Sequence, residues 1–211
     1  MPTRSNPPKH LARHLSRRTA LLAPMAALAA AGLPNFAFAL TDAQAVDLIG
    51  RVVADINSII NSGKSEAAMI RDFEALFNRY ADVPIIARIA LGVPWRTASS
   101  SQRSRYVSAF RGYISRKYGK RFREFIGGTI TVTGSRKVKS GYLVSSIASL
   151  KGSAPFALDW QVSDKSGKDK MFNLYIEGIS LLATERTEVA AMLDQQRGDI
   201  NALIAAIKAA G

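Results

Sequence analysis

The spacing of apolar residues changes at Gly127 and Gly128, and this change restricts the possible folds more than any other feature of the chain. Before the two glycines, apolar residues recur every three to four positions, which predicts amphipathic helices. After them, apolar residues recur at every second position, which predicts strands. Helical spacing returns after Ser180. The sequence therefore predicts an α+β domain with helices before and after a sheet.

Capping residues indicate where several of the helices begin. Thr41 with Gln44 has the spacing of a capping box, and so does Ser99 with Gln102. Asp82 is placed to cap a shorter helix between these two. Each cap directly precedes a segment with helical spacing of apolar residues, so we expect helices to begin at these positions.

The predicted strands cover residues 129–135, 141–150, 156–162 and 170–177 and are joined by short polar turns. The simplest arrangement is an antiparallel four-stranded sheet over about residues 129–177, with the helices packed on one face. Because side chains alternate between faces, one face of the third and fourth strands is broad and apolar. That face carries Phe156, Leu158, Trp160, Val162, Phe172, Leu174 and Ile176. Periodicity does not distinguish a packed core from the lining of a cavity, because both give the same pattern.

Residues 1–39 have the layout of a secretory signal peptide. Five basic residues and no acid precede an apolar stretch at residues 20–33, and small residues at Ala37 and Ala39 predict cleavage after Ala39. The Arg17-Arg18 pair leaves both the twin-arginine and the general secretory route open. We therefore expect residues 40–211 to form a single exported domain.

The residue types missing after residue 39 exclude most catalytic chemistry. Both histidines lie within residues 1–39 and the chain has no cysteine, so a Ser-His-Asp relay and a His or Cys zinc site are excluded. Of 29 basic and 16 acidic residues, five basic and no acidic ones lie in residues 1–39, which leaves +8 on the rest. Such a charge favours an anionic surface or an acidic partner, and export argues against nucleic acid.

Two segments carry ordered sets of motifs. Residues 86–119 contain a Leu-Gly, an aromatic residue, a helix cap, a Gln-Arg pair and a Tyr-Gly, and residues 158–189 contain a strand, a turn, a strand and a Glu-Gly-x-Ser helix start. In order and spacing, both segments resemble the MlaC / toluene-tolerance family. The resemblance extends over most of residues 41–210.

The resemblance implies a periplasmic carrier that holds a phospholipid by its acyl tails in an apolar cavity between helices and sheet. It implies transfer of lipid between an outer-membrane lipoprotein complex and an inner-membrane ABC transporter with an MCE-domain protein. It also implies that phospholipid is cargo, with no cofactor, metal or catalytic residue, and we expect a monomer. A relative that carries hopanoid or another apolar lipid remains open.

The resemblance and the alternation together give two sets of candidate residues. The candidate cavity lining is Ile86, Leu91, Trp95, Phe110, Tyr113, Ile114, Phe156, Leu158, Trp160, Leu174 and Ile176. The candidate rim, for lipid phosphate or an acidic docking surface, is Arg96, Lys117, Lys120, Arg121 and Arg123. The alternative is an ordinary core for the lining residues and a solvated helix face for the rim residues.

Two other functions are compatible with the sequence. A carboxylate-based enzyme would need two acids inside the cavity, and only Asp159 and Glu177 lie on suitable strands, on the polar side of the alternation. We expect Arg103 to form a salt bridge to an acid such as Glu177 or Asp159 rather than to contact a ligand. An assembly factor would have a filled core and a basic docking face.

Overall fold

A computed structural model describes residues 40–211, apart from the side chains of Phe122 and Arg123. The predicted signal peptide at residues 1–39 lies outside the described residues. The helices are Asp42–Ile60 (α1), Glu66–Tyr80 (α2), Val83–Leu91 (α3), Ser100–Gly119 (α4), Leu181–Gln195 (α5) and Ile200–Ala209 (α6). The strands are Thr129–Val138 (β1), Gly141–Ser149 (β2), Phe156–Ser163 (β3), Lys170–Ile176 (β4) and Ile179–Ser180 (β5). Two 3-10 helices cover Val93–Arg96 and Lys120–Phe125.

The helices begin at the predicted caps. The Thr41 hydroxyl accepts a hydrogen bond from the backbone N–H of Gln44, and the Gln44 side chain accepts one in return. Ser99 and Gln102 make the same reciprocal pair at the start of α4. These local hydrogen bonds satisfy N–H groups that a helix start leaves free, which is why the chain turns into a helix there. None of the helices in residues 40–211 is long and apolar enough to cross a membrane.

The sheet is antiparallel, with the strands in sequence order from β1 to β5. The predicted α+β class and antiparallel sheet are confirmed, and the structure adds a short fifth strand. Glu177 and Gly178 both have positive φ, at 49° and 77°, and form a two-residue turn that pairs Ile179 back with Ile176. Such turns require left-handed backbone at both central positions, which glycine adopts most easily. The sequence prediction ended the sheet one turn too early because it assigned Gly178 to the start of the next helix.

The pairing of β3 with β4 shifts by one residue between Gln161 and Val162. Gln161 pairs with Asn173, but Val162 pairs with Met171, so Phe172 is an extra residue in β4. A bulge of this kind bends the strand and interrupts the strict alternation of faces. As a result both Met171 and Phe172 pack against the helices.

The buried apolar residues form two clusters rather than one. The first cluster joins α1 to the sheet, with Ile49 and Val52 packed beside Val144 and Val162. The second joins α3, α4, α5 and α6 and lies next to β4. The helices and the sheet therefore have two separate cores, and the space between the cores determines whether the interior is filled.

Gly141 lies at the turn between β1 and β2, and the structure requires glycine there. Its φ is 126°, and a Cβ at this position would overlap the carbonyl oxygen of Val162. We expect Gly141→Ala to lower the free energy of unfolding by about 2–4 kcal/mol, because strain and a backbone clash add. Urea unfolding followed by circular dichroism measures this loss.

Gly167→Ala is the matched control for this substitution. Gly167 also has positive φ, at 79°, but open space surrounds its Cβ position. The Gly167→Ala substitution should lower the free energy of unfolding by about 1 kcal/mol, because it adds backbone strain without a clash. Equal losses for the two substitutions would contradict the clash at Gly141.

Candidate functional site

A cavity of about 380 Å³ lies between the two cores. It is many times larger than a buried water site and lies in the range of ligand pockets, roughly 300–1,000 Å³. Its wall takes residues from both cores, including Leu76 and Trp160 from the first and Phe77 and Ile114 from the second. The helices and the sheet therefore do not close on each other with side chains alone.

The wall of the cavity is almost entirely apolar and comes from every layer of the fold. From the helices it includes Ile56, Phe73, Leu76, Phe77, Ile86, Ile114, Tyr118, Phe125, Leu181, Leu182 and Glu185. From the strands and the turn after β2 it includes Ile130, Leu150, Phe156, Leu158, Trp160, Met171, Phe172, Asn173, Leu174 and Ile176. Arg121 and Glu124, on the 3-10 helix after α4, complete it. Such a surface is suited to hydrocarbon and offers water few hydrogen-bond partners.

Trp160 forms the floor of the cavity on β3. Its indole N–H donates to the Ser146 hydroxyl at 2.8 Å, and both residues are buried. Ser146 in turn donates to the carbonyl oxygen of Leu158 at 3.3 Å. The polar atom of the indole is thus satisfied within the sheet, so the ring adds apolar surface to the cavity without an unmet hydrogen bond.

The mouth of the cavity lies at one end of the sheet. The strand register places the end of β2, the start of β3 and the end of β4 side by side there, with Ala148 opposite Phe156 and Leu158 opposite Ile176. Arg121 and Glu124 on the wall are exposed and form a long ion pair at 4.0 Å. The other wall residues are buried or partly buried, so the cavity opens toward the 3-10 helix that carries Arg121 and Glu124.

A polar network joins α4 to α5 beside the cavity. Lys117 Nζ lies 2.7 Å from Glu185 Oε1 and 2.5 Å from Glu188 Oε2. The Tyr118 hydroxyl donates to Glu185 at 2.6 Å, and the Tyr113 hydroxyl donates to Glu188 at 2.7 Å. Glu185 is only 3% exposed, so its charge depends on these partners for compensation.

The network shifts the pKa values of its members. Burial alone would raise the pKa of Glu188, but hydrogen bonds from Lys117 and Tyr113 outweigh it and lower that pKa. Burial alone would lower the pKa of Lys117, but Glu185 and Glu188 together raise it. Burial and the hydrogen bond to Glu185 raise the pKa of Tyr118, so its hydroxyl remains a donor. Lys117 and Glu188 are therefore both charged at neutral pH.

The structure brings seven of the eleven candidate lining residues to the cavity wall. They are Ile86, Ile114, Phe156, Leu158, Trp160, Leu174 and Ile176. The other four, Leu91, Trp95, Phe110 and Tyr113, lie in or against the core of α3, α4, α5 and α6. Contact between lipid and any of these side chains stays a prediction.

Two of these four residues, Phe110 and Tyr113, lie on α4, whose buried apolar residues all belong to the second core although only some of them reach the cavity wall. Phe110 is fully buried in the second core, and its ring packs beside those of Tyr106 and Tyr113. Ile114 and Tyr118, on the neighbouring stripe, reach the cavity instead. The sequence prediction places Phe110, Tyr113 and Ile114 together on the cavity wall, but in the structure only Ile114 of the three lies there.

Several wall residues were not among the candidates. Phe73, Leu76 and Phe77 on α2 have the helical spacing that marks a buried stripe, so a signal for them exists in the sequence. Met171 has no such signal, because the bulge in β4 turns it toward the helices. The candidate lining left out the α2 residues, and the sequence gives no sign of the bulge.

The candidate rim residues occupy different environments. Of the four candidates whose side chains are described, Arg121 alone lies on the cavity wall. Lys117 belongs to the internal network, and Lys120 donates to the terminal carbonyl oxygen of Gly211 at 2.8 Å. Arg96 is exposed on the other 3-10 helix, and the side chain of Arg123 lies outside the described part of the chain. Contact of any of the five with lipid phosphate or an acidic partner stays a prediction.

The prediction that Arg103 pairs with Glu177 or Asp159 is wrong. Arg103 donates to the backbone carbonyls of Trp95 and Arg96 and lies over the Trp95 ring. The two acids make other contacts on the polar side of the sheet. Asp159 accepts from Ser145, and Glu177 accepts from the backbone N–H of Ala157. Neither carboxylate is on the cavity wall.

The fold is similar to that of a solved phospholipid-binding protein from Ralstonia solanacearum, whose structure contains a phospholipid. The two chains are 20% identical, with a TM-score of 0.64. The match covers 77% of this chain and 94% of the Ralstonia chain. At this level of identity the likeness concerns the fold.

A sequence model of the family described as MlaC protein matches residues 50–209. The matched range includes most of α1, all later helices and the whole sheet, and so it contains every element that forms the cavity. The family resemblance seen in residues 86–119 and 158–189 lies within it. The chain belongs to the MlaC family.

Proposed function

We propose that the protein is a phospholipid-binding carrier that holds acyl tails in the cavity between its two cores. The observation that carries this proposal is the apolar wall, which surrounds about 380 Å³ of space that the protein's own side chains do not fill. Membership of the MlaC family supports it. So does the phospholipid in the Ralstonia protein of similar fold.

The energetics of lipid transfer explain why such a cavity is needed. Exposing an acyl chain to water costs about 0.8 kcal/mol for each methylene, so a free lipid does not cross an aqueous space at a useful rate. A carrier must offer an apolar surface of similar extent and keep water out of it. The apolar wall of the cavity meets this requirement, and Arg121 at the mouth is placed to contact a polar headgroup.

The arrangement does not favour an enzyme. Of the two acids on the wall, Glu185 is held by Lys117 and Tyr118, and Glu124 is exposed at the mouth. An acid catalyst and a basic partner would need to converge on the same point inside the cavity. The rest of the wall supplies no such group, so we propose a binding and transport role without catalysis.

The cellular setting follows from the family and is part of the same proposal. The carrier would be exported to the periplasm after removal of residues 1–39. There it would exchange phospholipid with an outer-membrane lipoprotein complex and an MCE-domain protein of an inner-membrane ABC transporter. A carrier of hopanoid or another apolar lipid would use the same cavity, and the identity of the bound lipid separates the two possibilities.

Lipid extraction tests this proposal. Protein purified without added lipid should yield phospholipid at about one molecule per chain, as expected for one cavity of ligand-pocket size. Mass spectrometry of the organic extract identifies the lipid class and its amount. Protein that is free of lipid and also fails to take up phospholipid from vesicles would contradict the proposal, and hopanoid in the extract would support the alternative cargo.

A further inference from the structure

Two large apolar side chains are exposed beside the mouth of the cavity. Ile126 is 52% exposed and Ile179 is 65% exposed, whereas the other isoleucines of residues 40–211, apart from Ile147, are buried or partly buried. Ile126 directly follows the wall residue Phe125, and Ile179 pairs with the wall residue Ile176. We refer to Ile126 and Ile179 as the mouth collar.

The strand register places both collar residues at the same end of the sheet. β1 begins at Thr129, three residues after Ile126, and Thr129 lies opposite Ser149 at the end of β2. Leu158, near the start of β3, lies opposite Ile176, which in turn lies opposite Ile179. The collar therefore continues the apolar surface of the cavity to the outside of the protein.

Basic side chains accompany the collar. Arg121 is exposed on the wall itself, and Lys151 is exposed in the turn that follows β2. Two acids lie nearby: Glu124 forms the 4.0 Å ion pair with Arg121, and Glu177 accepts a hydrogen bond from the backbone N–H of Ala157. Lys151 makes no salt bridge with any residue that the structure describes, so its charge is available to an anionic partner.

We propose that the mouth collar docks directly on the surface of an anionic lipid bilayer, with Ile126 and Ile179 inserted among the acyl chains. This inference rests on the proposed lipid-carrier function, but it adds a surface that the function does not require. Isolated apolar side chains flanked by lysine and arginine fit the interfacial zone of a membrane, where apolar groups enter the acyl boundary and cations meet phosphates. The collar joins an apolar cavity to this surface, so a lipid tail would pass from bilayer to cavity with little exposure to water.

A membrane fits these features better than a protein partner. Ile126 lies in the turn between the second 3-10 helix and β1, whereas Ile179 lies on β5 at the other edge of the sheet. The two isoleucines therefore do not form the single broad apolar patch typical of protein interfaces. A protein that covered the opening would also need an apolar passage of its own, because the lipid tail would have to cross it to reach the cavity. A protein-only role for the collar is an outcome that the following experiment can reveal.

Vesicle flotation tests the proposal with protein purified in the form that the cell exports. The vesicles contain phosphatidylcholine alone or phosphatidylcholine with phosphatidylglycerol. We expect the protein to float with the anionic vesicles, and the double variant Ile126→Ser, Ile179→Ser to bind them at least about tenfold more weakly, because two inserted side chains are lost. Lys151→Gln should weaken binding to the anionic vesicles about fivefold and leave the neutral ones unaffected.

Val93→Ser is the matched control. Val93 is 69% exposed, but it lies after α3 and is not on the wall of the cavity. This variant should bind vesicles like the unmodified protein. Thermal unfolding confirms that each variant is folded.

The outcomes separate this inference from the proposed function. Copurified phospholipid without vesicle binding would overturn the docking surface and leave the carrier function in place. A collar variant that binds vesicles normally would overturn it as well, even if transfer to a partner protein were impaired. Absence of both bound lipid and lipid uptake would instead remove the carrier function.

Discussion

Replacing Leu174 with tryptophan should remove most of the copurifying lipid from a protein that remains folded. Leu174 lies on β4 opposite Trp160, and its side chain is on the cavity wall. A tryptophan there would occupy space that two or three lipid methylenes would otherwise fill. At about 0.8 kcal/mol for each methylene, lipid affinity should fall at least tenfold. The measurement is lipid phosphorus per chain after purification, with thermal unfolding as the check of folding.

Ile147→Trp provides the matched control on the same sheet. Ile147 pairs with Ala157 on the opposite face from the cavity and is 37% exposed. The same large side chain placed there should leave the lipid content unchanged. If Leu174→Trp retained as much lipid as Ile147→Trp, the lipid would have to lie outside the cavity.

Replacing Lys117 with methionine should cost about 3–5 kcal/mol of unfolding free energy, because it leaves the buried carboxylate of Glu185 without its cation. Lys117 is 25% exposed, whereas Glu185 is 3% exposed, so water cannot easily take over the role of the lysine. The loss should be measured by urea unfolding at neutral pH. The effect would be among the largest for a polar residue in this protein.

The exposed ion pair between Lys64 and Asp72 supplies a control with the same substitution. Their side chains are 52% and 34% exposed at a separation of 2.6 Å, so Lys64→Met should cost at most about 1 kcal/mol. Similar losses for Lys117→Met and Lys64→Met would contradict the dependence of Glu185 on a buried cation.

The same network gives the stability a defined pH dependence. The lowered pKa of Glu188 contributes stability above the ordinary range of a glutamate, and this contribution is lost as pH falls through the folded-state pKa. The raised pKa of Lys117 contributes stability below the ordinary range of a lysine, and this contribution is lost as pH rises through the folded-state pKa. The difference in unfolding free energy between the unmodified protein and Lys117→Met should therefore be largest at pH values between the ordinary pKa of glutamate and that of lysine. This difference should become smaller in acid.

The helix caps and the strand alternation were sufficient to predict most of the fold, because both depend on residues close in sequence. Thr41 and Ser99 form capping boxes with residues three positions away, and the structure contains both. The fifth strand escaped prediction because a two-residue turn at Glu177 and Gly178 gives little sequence signal. Short pairings of this kind depend on backbone angles rather than on apolar spacing.

The cavity could not be predicted from periodicity, because its wall and a packed core have the same apolar pattern. Ile114 and Phe110 are both apolar residues of α4 in the second core, yet only Ile114 is also on the cavity wall. That difference depends on where α2 and α6 lie relative to α4, which is a tertiary property. Met171 adds a further case, since only the bulge in β4 turns it inward.

On the proposed function, acyl chains fill the hollow between the two cores in place of side chains. A crystal structure of the protein purified without added lipid would show this space. We expect continuous tubular electron density between Trp160 and Ile114 that leads to the mouth near Arg121. Protein side chains filling that space, with no opening beside Arg121, would rule the carrier function out.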